Sequence, residues 1–418
     1  MRILSEDQTV LDAIAERGDA IVSRAVAWCA INSGSRHLEG LERQRGMLEE
    51  ALSALPATVE RKLLSPSVEI ADDGSERTQP HPDALYVEVR PQAPVQVVLT
   101  GHYDTVYPAS SKFQSVRNRD DGALWGPGVA DMKGGISVML AALETFEHHP
   151  AKDRVGYRVL LSPDEEIGSL ASAPHLARLG KLGHVGMTYE PALSDGAMAG
   201  ARKGSGNFHI AVKGKAAHAG RDFASGRNAV VGAAGIVARL NALNGKREGV
   251  TVNVAAVAGG SPLNVVPENA VVRFNVRVPD AASAHWVKDA IEQIVSQSVG
   301  VHDLQVVLHG GFTRPAKPLD AAQTRLIGAV KDASDLLGQP IRFIASGGVC
   351  EGNNLYAAGL PNVDTLGVRG GDIHSEAEFA WPDSFVERAQ LSALILMKLA
   401  SGEIDAPALK ALRLEEAA

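Results

Sequence analysis

Val95-Gln96-Val97-Val98-Leu99-Thr100-Gly101-His102-Tyr103-Asp104-Thr105-Val106 opens as an apolar run and ends on a histidine closely followed by an aspartate. A short run rich in Val and Leu, without polar alternation, reads as a strand of a parallel sheet covered on both faces. Residues 157–161 and 185–189 repeat the pattern and lead into Ser162-Pro163-Asp164-Glu165-Glu166-Ile167-Gly168 and Glu190-Pro191. In open α/β sheets the functional crevice lies beyond the carboxyl ends of the strands. His102, Glu165, Glu166 and Glu190 are therefore expected to meet there, although the chain separates them widely. Asp131 stands in Gly126-Pro127-Gly128-Val129-Ala130-Asp131-Met132-Lys133-Gly134-Gly135, a glycine-rich loop that opens a helix, because Ile136, Met139, Leu140, Leu143 and Phe146 recur at helical spacing.

The 418 residues exceed what one ordinary core organises, so two domains are expected. Between 207 and 310 the order is strand (208–212), helix (228–243), strand (251–257), strand (271–278), helix (281–298), strand (304–308), the βαββαβ series of a ferredoxin-like unit. Read as an insertion, residues 206–312 divide one α/β catalytic domain with a mainly parallel sheet into the segments 1–205 and 313–418. Residues 71–82, rich in Asp, Pro and other polar residues, read as an exposed loop. A net charge of −8 provides no basic face for nucleic acid, and no apolar run is long enough to span a membrane. Residues 1–10 lack a signal-like apolar region, which makes the cytoplasm the expected compartment. Cys29 and Cys350 are the only cysteines, so two reduced thiols are expected rather than a disulfide framework. The absence of G-x-S-x-G, H-E-x-x-H, P-loop and G-x-G-x-x-G signatures argues against a serine hydrolase or a nucleotide enzyme.

The order GHYDTV (101–106), GPGVADMKGG (126–135), SPDEEIGS (162–169), Glu190-Pro191, Ala217-His218-Ala219-Gly220 and a late Gly370-Gly371 before His374 resembles the M20 family of co-catalytic metallopeptidases, in the pattern of its carboxypeptidase G2 and deacylase branch. The resemblance implies a phosphorylase/hydrolase-like catalytic domain, an inserted ferredoxin-like lid that also forms a homodimer, and two divalent metal ions per chain. Two such ions, about 3.5–4 Å apart, share a bridging carboxylate and hold the attacking water between them. Asp131 is the natural bridge. By resemblance, His102 and Glu190 complete one ion's ligands while Glu166 and His374 complete the other's. His374 follows Gly370-Gly371 and precedes Ser375-Glu376, which fits the family's final ligand better than His302 or His309. Carboxylates with imidazoles suit zinc, and manganese or cobalt equally. The resemblance also implies a cis peptide after Asp131.

Asp104 is expected to accept the second ring N–H of His102 and fix its tautomer. Glu165, beside a ligand yet pointing differently along the chain, is expected to take a proton from the bridging water and return it to the leaving amine. By resemblance, His218 reaches an active site, usually the partner subunit's, to steady the tetrahedral intermediate. Arg277 and Asn264 would hold a substrate carboxylate, the former through its guanidinium fork. Gly348, with Gly347, offers a backbone donor or close approach to substrate. Lys203 reads as a solvated hinge lysine. The loop Gly347-Gly348-Val349-Cys350-Glu351-Gly352-Asn353 departs from the Gly-Gly-Thr-Asp of many relatives, with Glu351 for the Asp and a thiol beside the site, which leaves substrate choice open. The expected reaction is cleavage of the amide of a small peptide or N-acyl amino acid with a free carboxylate. The alternatives are a deacylase of the acetylornithine or succinyl-diaminopimelate type and a catalytically silent binder of amino-acid conjugates, against which an intact Glu165 argues.

Overall fold

The computed structural model of the chain describes residues 1–300 and 303–417; His302 lies outside them. One sheet has the strand order Glu60–Lys62, Ala84–Val89, Val155–Ser162, Val95–His102, Val185–Thr188, Asn362–Val363. The last four run parallel, and the first two join antiparallel. Every residue of Val95–His102 and Val155–Ser162 is buried, which is why both lack polar alternation. Val97 and Leu99 belong to the main core with the helices Gly18–Cys29, Lys133–Phe146 and Asp383–Ser401. Val98 and Leu160 pack on the opposite face against Leu176, Leu179, Leu355 and Leu360, as the two-residue period of a strand requires. Both ends of the chain build this unit, since Val10 and Leu409 share its core and Lys398 Nζ donates to Asp7 Oδ2 at 2.8 Å.

Helix Lys133–Phe146 is buried along its length except at Glu144, and its start is pressed onto the sheet. A Cβ on Gly135 would lie 2.0 Å from the Tyr189 carbonyl oxygen, so only glycine lets the helix N-terminus reach the end of strand Val185–Thr188. That contact sets Asp131 close to Glu190. The peptide bond between Asp131 and Met132 is cis, as the resemblance implies.

A second sheet, wholly antiparallel, has the order Thr251–Gly259, Asn269–Val278, Gly204–Lys213, Gln305–Arg314, the arrangement of a ferredoxin-like βαββαβ unit. Helices Ala229–Asn241 and Ala281–Ser296 pack on it, each started by a side-chain cap: Asn228 accepts from Val231 N and Asp280 from Ser283 N. Alternate residues Phe208, Ile210, Val212, Val272, Phe274 and Val276 meet Ile236, Leu240, Val287 and Ile291 in a core distinct from the first.

Residues 71–82 depart from the expected loop, because Glu76–Gln79 pairs with Ser67–Ile70 in a hairpin. Asp73-Gly74 lies in its turn, with Gly74 at φ 82°, and an Asp-Gly step is a hairpin signal that polar composition masks. Arg273 ties this arm to the second sheet through the Ile70 carbonyl at 2.8 Å and Asp72 at 2.9 Å. Among the described residues no helix is long and apolar enough to cross a membrane.

Candidate metal centre

His102 is the last residue of Val95–His102, Glu165 and Glu166 lie just past Val155–Ser162, and Glu190 lies just past Val185–Thr188. Asp131 precedes helix Lys133–Phe146, and His374, at φ 63°, sits between Gly370–Gly371 and Phe379–Ala380. Two groups of side chains result, each within ligand reach of one ion: His102, Asp131 and Glu190, then Asp131, Glu166 and His374. Asp131 belongs to both. Its Oδ1 is 3.2 Å from His102 Nε2 and its Oδ2 is 3.2 Å from His374 Nε2. Glu190 Oε1 is 3.8 Å from His102 Nε2, and Glu166 Oε2 is 3.1 Å from His374 Nε2.

These donors fit a pair of divalent cations. His102 Nε2, Asp131 Oδ1 and Glu190 Oε1 are buried and make no hydrogen bond. Buried polar atoms are otherwise almost always partnered, so three converging orphans mark a place for positive charge. Burial pushes the Glu190 carboxyl well above its usual range, and burial with the Asp131 charge raises Glu166 to about 8. Burial works to raise Asp131 as well, yet the His102 and His374 imidazoles, each 3.2 Å away, hold it below the ordinary carboxylate range. His374, bonded to Asp131 and Glu166, is raised to about 11. Such a cluster binds protons or divalent cations at the same atoms, so metal uptake releases protons.

His102 Nδ1 lies 3.1 Å from the main-chain oxygen of Asp104 and 3.3 Å from its Oδ1. Both the Asp104 carbonyl and its carboxylate, the expected partner, thus face that ring nitrogen, and the carboxylate has further partners. Asp104 Oδ1 accepts from Glu165 N and Oδ2 from Glu166 N, each at 3.1 Å, and Oδ2 also takes the Ser35 hydroxyl at 2.8 Å. With Nδ1–H donated to the Asp104 oxygens, the Nε2 lone pair would be free for a cation, and the Asp104 carboxylate positions both glutamates.

Glu165 belongs to neither group. Its Oε1 accepts from Arg314 Nη2 at 2.6 Å, and the buried Arg314 also donates to Ser169 Oγ and Asn354 Oδ1, each at 2.8 Å. Arg314 is absent from the sequence-derived candidates, as is Glu378. The fully buried Glu378 carboxylate accepts from Ala130 N at 2.9 Å, Asp131 N and Gly128 N at 3.0 Å, and the Tyr107 hydroxyl at 2.8 Å. It grips the loop that aims Asp131. No local signal marks Glu378 in the sequence, where Ser375-Glu376-Ala377-Glu378 reads as an ordinary solvent-facing run. Glu378→Ala is expected to weaken divalent-metal affinity about 10–100-fold, as loss of a ligand's support does. Metal titration against a chelator checks this, and an unchanged affinity would show that the loop holds itself.

A cavity of about 650 Å³ adjoins the cluster, lined by Asp131, Glu165, Glu166, Glu190 and His374 and also by Arg202, Arg277 and Arg314. Arg277 is half-buried, desolvation lowers its pKa, and its Nε donates to Asn275 Oδ1 at 3.0 Å. Gly348 lines the cavity, but its N–H is taken by Ser346 Oγ at 3.1 Å, and a Cβ there would meet nothing nearer than 3.4 Å. Neither a free donor nor a forced close approach resides at Gly348. His218 and Asn264 stand outside the cavity wall, both exposed, where Ala217–His218 pairs with Val265–Val266 and Ala219 N donates to the Asn264 carbonyl. Lys203 Nζ donates to the Gly249 carbonyl at 2.9 Å, and its neighbour Arg202 enters the wall instead. Cys350 and Glu351 are buried behind the wall, where Ser162 Oγ donates to Glu351 Oε1 at 2.5 Å. The departure in this loop therefore alters its footing, while Ser346, Gly348 and Val349 are the residues that face the cavity.

The chain is 25% identical over 408 residues to carboxypeptidase G2 of Pseudomonas sp. (strain RS-16), covering 95% of this chain and 93% of that protein. It is 29% identical over 301 residues to succinyl-diaminopimelate desuccinylase of Bordetella petrii, covering 68% and 77%. Human carnosine dipeptidase 1 shares the fold, with a TM-score of 0.70 at 17% identity over 95% of this chain and 99% of that one. The model of peptidase family M20/M25/M40 matches residues 98–398, so the chain belongs to that family and is a hydrolase of amide bonds.

Proposed function

We propose that this chain is a two-metal amidohydrolase that cleaves the amide of a small peptide or N-acyl amino acid bearing a free carboxylate. The observation that carries the reading is the Asp131 carboxylate, whose two oxygens each face a different imidazole amid buried, unpartnered ligand atoms. His102, Asp131 and Glu190 would hold one ion and Asp131, Glu166 and His374 the other, with zinc suited to the donors and manganese or cobalt equally compatible. Two divalent ions at these ligands would acidify a water and polarise the scissile carbonyl.

Glu165 takes the proton of the attacking water at its carboxylate and returns it to the departing amine nitrogen. Arg314, on Oε1, keeps that carboxylate in one orientation and leaves Oε2 for the proton. Arg277 meets the substrate carboxylate, since it lines the cavity and pairs with no carboxylate among the described residues. Amine release from N-acyl amino acids and dipeptides, with stripped enzyme reloaded with zinc, manganese or cobalt, tests the reaction. Turnover that is indifferent to metal would overturn it. The succinyl-diaminopimelate desuccinylase relative supports a second enzyme reading, a metabolic deacylase, which the same panel separates.

We assign residues 1–205 and 313–418 to the catalytic domain and 206–312 to a lid that pairs two copies. The exposed His218 and Asn264, which lie outside their own cavity wall on two paired segments, support a role in the partner's site. Mixing equal amounts of inactive His218→Ala and Glu165→Gln proteins under subunit exchange is then expected to restore about a quarter of wild-type turnover, because half the dimers carry one intact site. No recovery would place His218 in its own chain's site or outside catalysis. The buried, free Cys29 and Cys350 suit a reducing compartment, and we assign the cytoplasm.

A further inference from the structure

A second cavity, of about 400 Å³, shares Glu166 and Ile167 with the first, so the two meet at a metal-ligand candidate. Their chemistry differs. The first is lined with charge, carboxylates at the cluster and Arg202, Arg277 and Arg314. Arg202 there donates to Asp364 through Nε and Nη2 at 2.9 and 2.7 Å, and Lys317 Nζ reaches the same fully buried carboxylate at 2.5 Å. In the second cavity the polar groups are spent on neighbours. Arg36 is paired with Glu69 of the hairpin, Glu166 faces His374 at 3.1 Å, and His37 Nδ1 is 3.1 Å from the Asn32 carbonyl oxygen. Ser35 Oγ donates to Asp104 Oδ2 at 2.8 Å, and Gly34 N to Asn32 Oδ1 at 3.1 Å. What stays open is apolar: Val106 is 37% exposed, Pro108 and Ala109 are exposed, and Ile167 is partly so. Apolar side chains gathered in a concave site beside reactive groups mark a place that an apolar ligand group fills.

The layout of an amide assigns the occupant. A trans amide is planar, and the groups on its carbon and its nitrogen point apart. Arg277 draws the carboxylate-bearing amine part into the first cavity, and the scissile carbonyl belongs at the ligand cluster. The acyl group therefore runs the other way, past Ile167. Resting on the amidohydrolase reading above, we propose that the second cavity is the acyl subsite and that the acyl group of the substrate is uncharged, apolar and larger than acetyl. Each methylene buried against Val106, Pro108, Ala109 and Ile167 favours binding up to about fourfold. A terminal carboxylate would lose water there and meet only groups that already have partners, which disfavours a dicarboxylic acyl group.

The test uses four derivatives of the amino acid released fastest in the panel above, its N-acetyl, N-hexanoyl, N-phenylacetyl and N-succinyl forms. The metal-loaded wild-type enzyme is expected to favour the hexanoyl or the phenylacetyl form over the acetyl form about 10–100-fold in kcat/KM, with no gain for the succinyl form. Ala109 is exposed in a turn, so a larger side chain there fills the cavity without entering the core. Ala109→Trp is expected to bring the apolar-to-acetyl ratio toward one, with Ala109→Val between it and wild type, and circular dichroism checks that both variants fold. A wild-type ratio near one overturns the proposal, as does a preference for the succinyl form. An unchanged ratio in Ala109→Trp would put the acyl group in the first cavity and also overturn it, and so would a parallel fall of all four forms. Release of no amine anywhere in the panel would instead count against the amidohydrolase reading.

Discussion

Glu165→Gln is expected to lower amide turnover about 10²–10⁴-fold, the contribution of a positioned acid–base group, while both ions remain bound. The separation of the two effects follows from geometry. Glu165 lies outside both ligand groups, so the substitution removes a proton acceptor without removing a ligand. Gln is nearly isosteric, and its amide oxygen can still accept from Arg314, which is itself fixed by Ser169 and Asn354. KM therefore changes little and kcat carries the loss. Amine release measured beside metal content per chain checks both halves. A metal-loaded variant with near wild-type turnover would remove Glu165 from the proton transfers. Loss of metal along with activity would make it a support of the centre instead.

How much of this was legible beforehand depended on whether the signal was local. The strands announced themselves because Val95–His102 and Val155–Ser162 are buried on both faces and so lack polar residues over most of their length. The βαββαβ order was readable because alternation in Asn269–Val278 and the helical periods beside it are short-range patterns. The residues gathered around Asp131 were readable for the same reason, each standing at the end of such a run or in a glycine-rich turn. Arg314 and Glu378 were not. Arg314 meets Glu165 across 149 positions, and Glu378 meets Asp131 across 247. A charged residue in a sequence is presumed to face water, and only the tertiary fold reveals that these two do not. Asp104 was half legible: its closeness to His102 suggested the contact at Nδ1, but its two longer-range partners, Glu165 N and Glu166 N, were not readable. His218 and Asn264 stand apart from the cluster because nothing in a single chain brings them to it.

The buried Arg202–Asp364–Lys317 group leads to the largest expected loss of stability. Asp364→Asn leaves two buried cations without their anion, and breaking such a group from one side costs about 3–5 kcal/mol. Burial alone would raise the Asp364 carboxyl, but the charges of Arg202 and Lys317 with their hydrogen bonds hold it down to about 2. Measured against an unfolded value of about 3.9, that shift corresponds to roughly 2–3 kcal/mol at neutral pH. The substitution costs more than the shift because protonation leaves the carboxyl in place to hydrogen-bond, whereas Asn brings N–H groups among cations. A depressed folded pKa gives a definite pH dependence: the contribution is fully present above about pH 5, and it fades as pH falls through the unfolded value toward 2. Urea unfolding of the wild type and Asp364→Asn at neutral pH, then across the acid range, measures both. The gap between the two proteins should narrow on acidification as the wild type loses the same anion. Lys317→Met in the Asp364→Asn background should recover part of the loss, because it removes one uncompensated charge from a fully buried position. An unfolding free energy for Asp364→Asn within about 1 kcal/mol of wild type would mean that solvent reaches the group and that its cations are not held by Asp364.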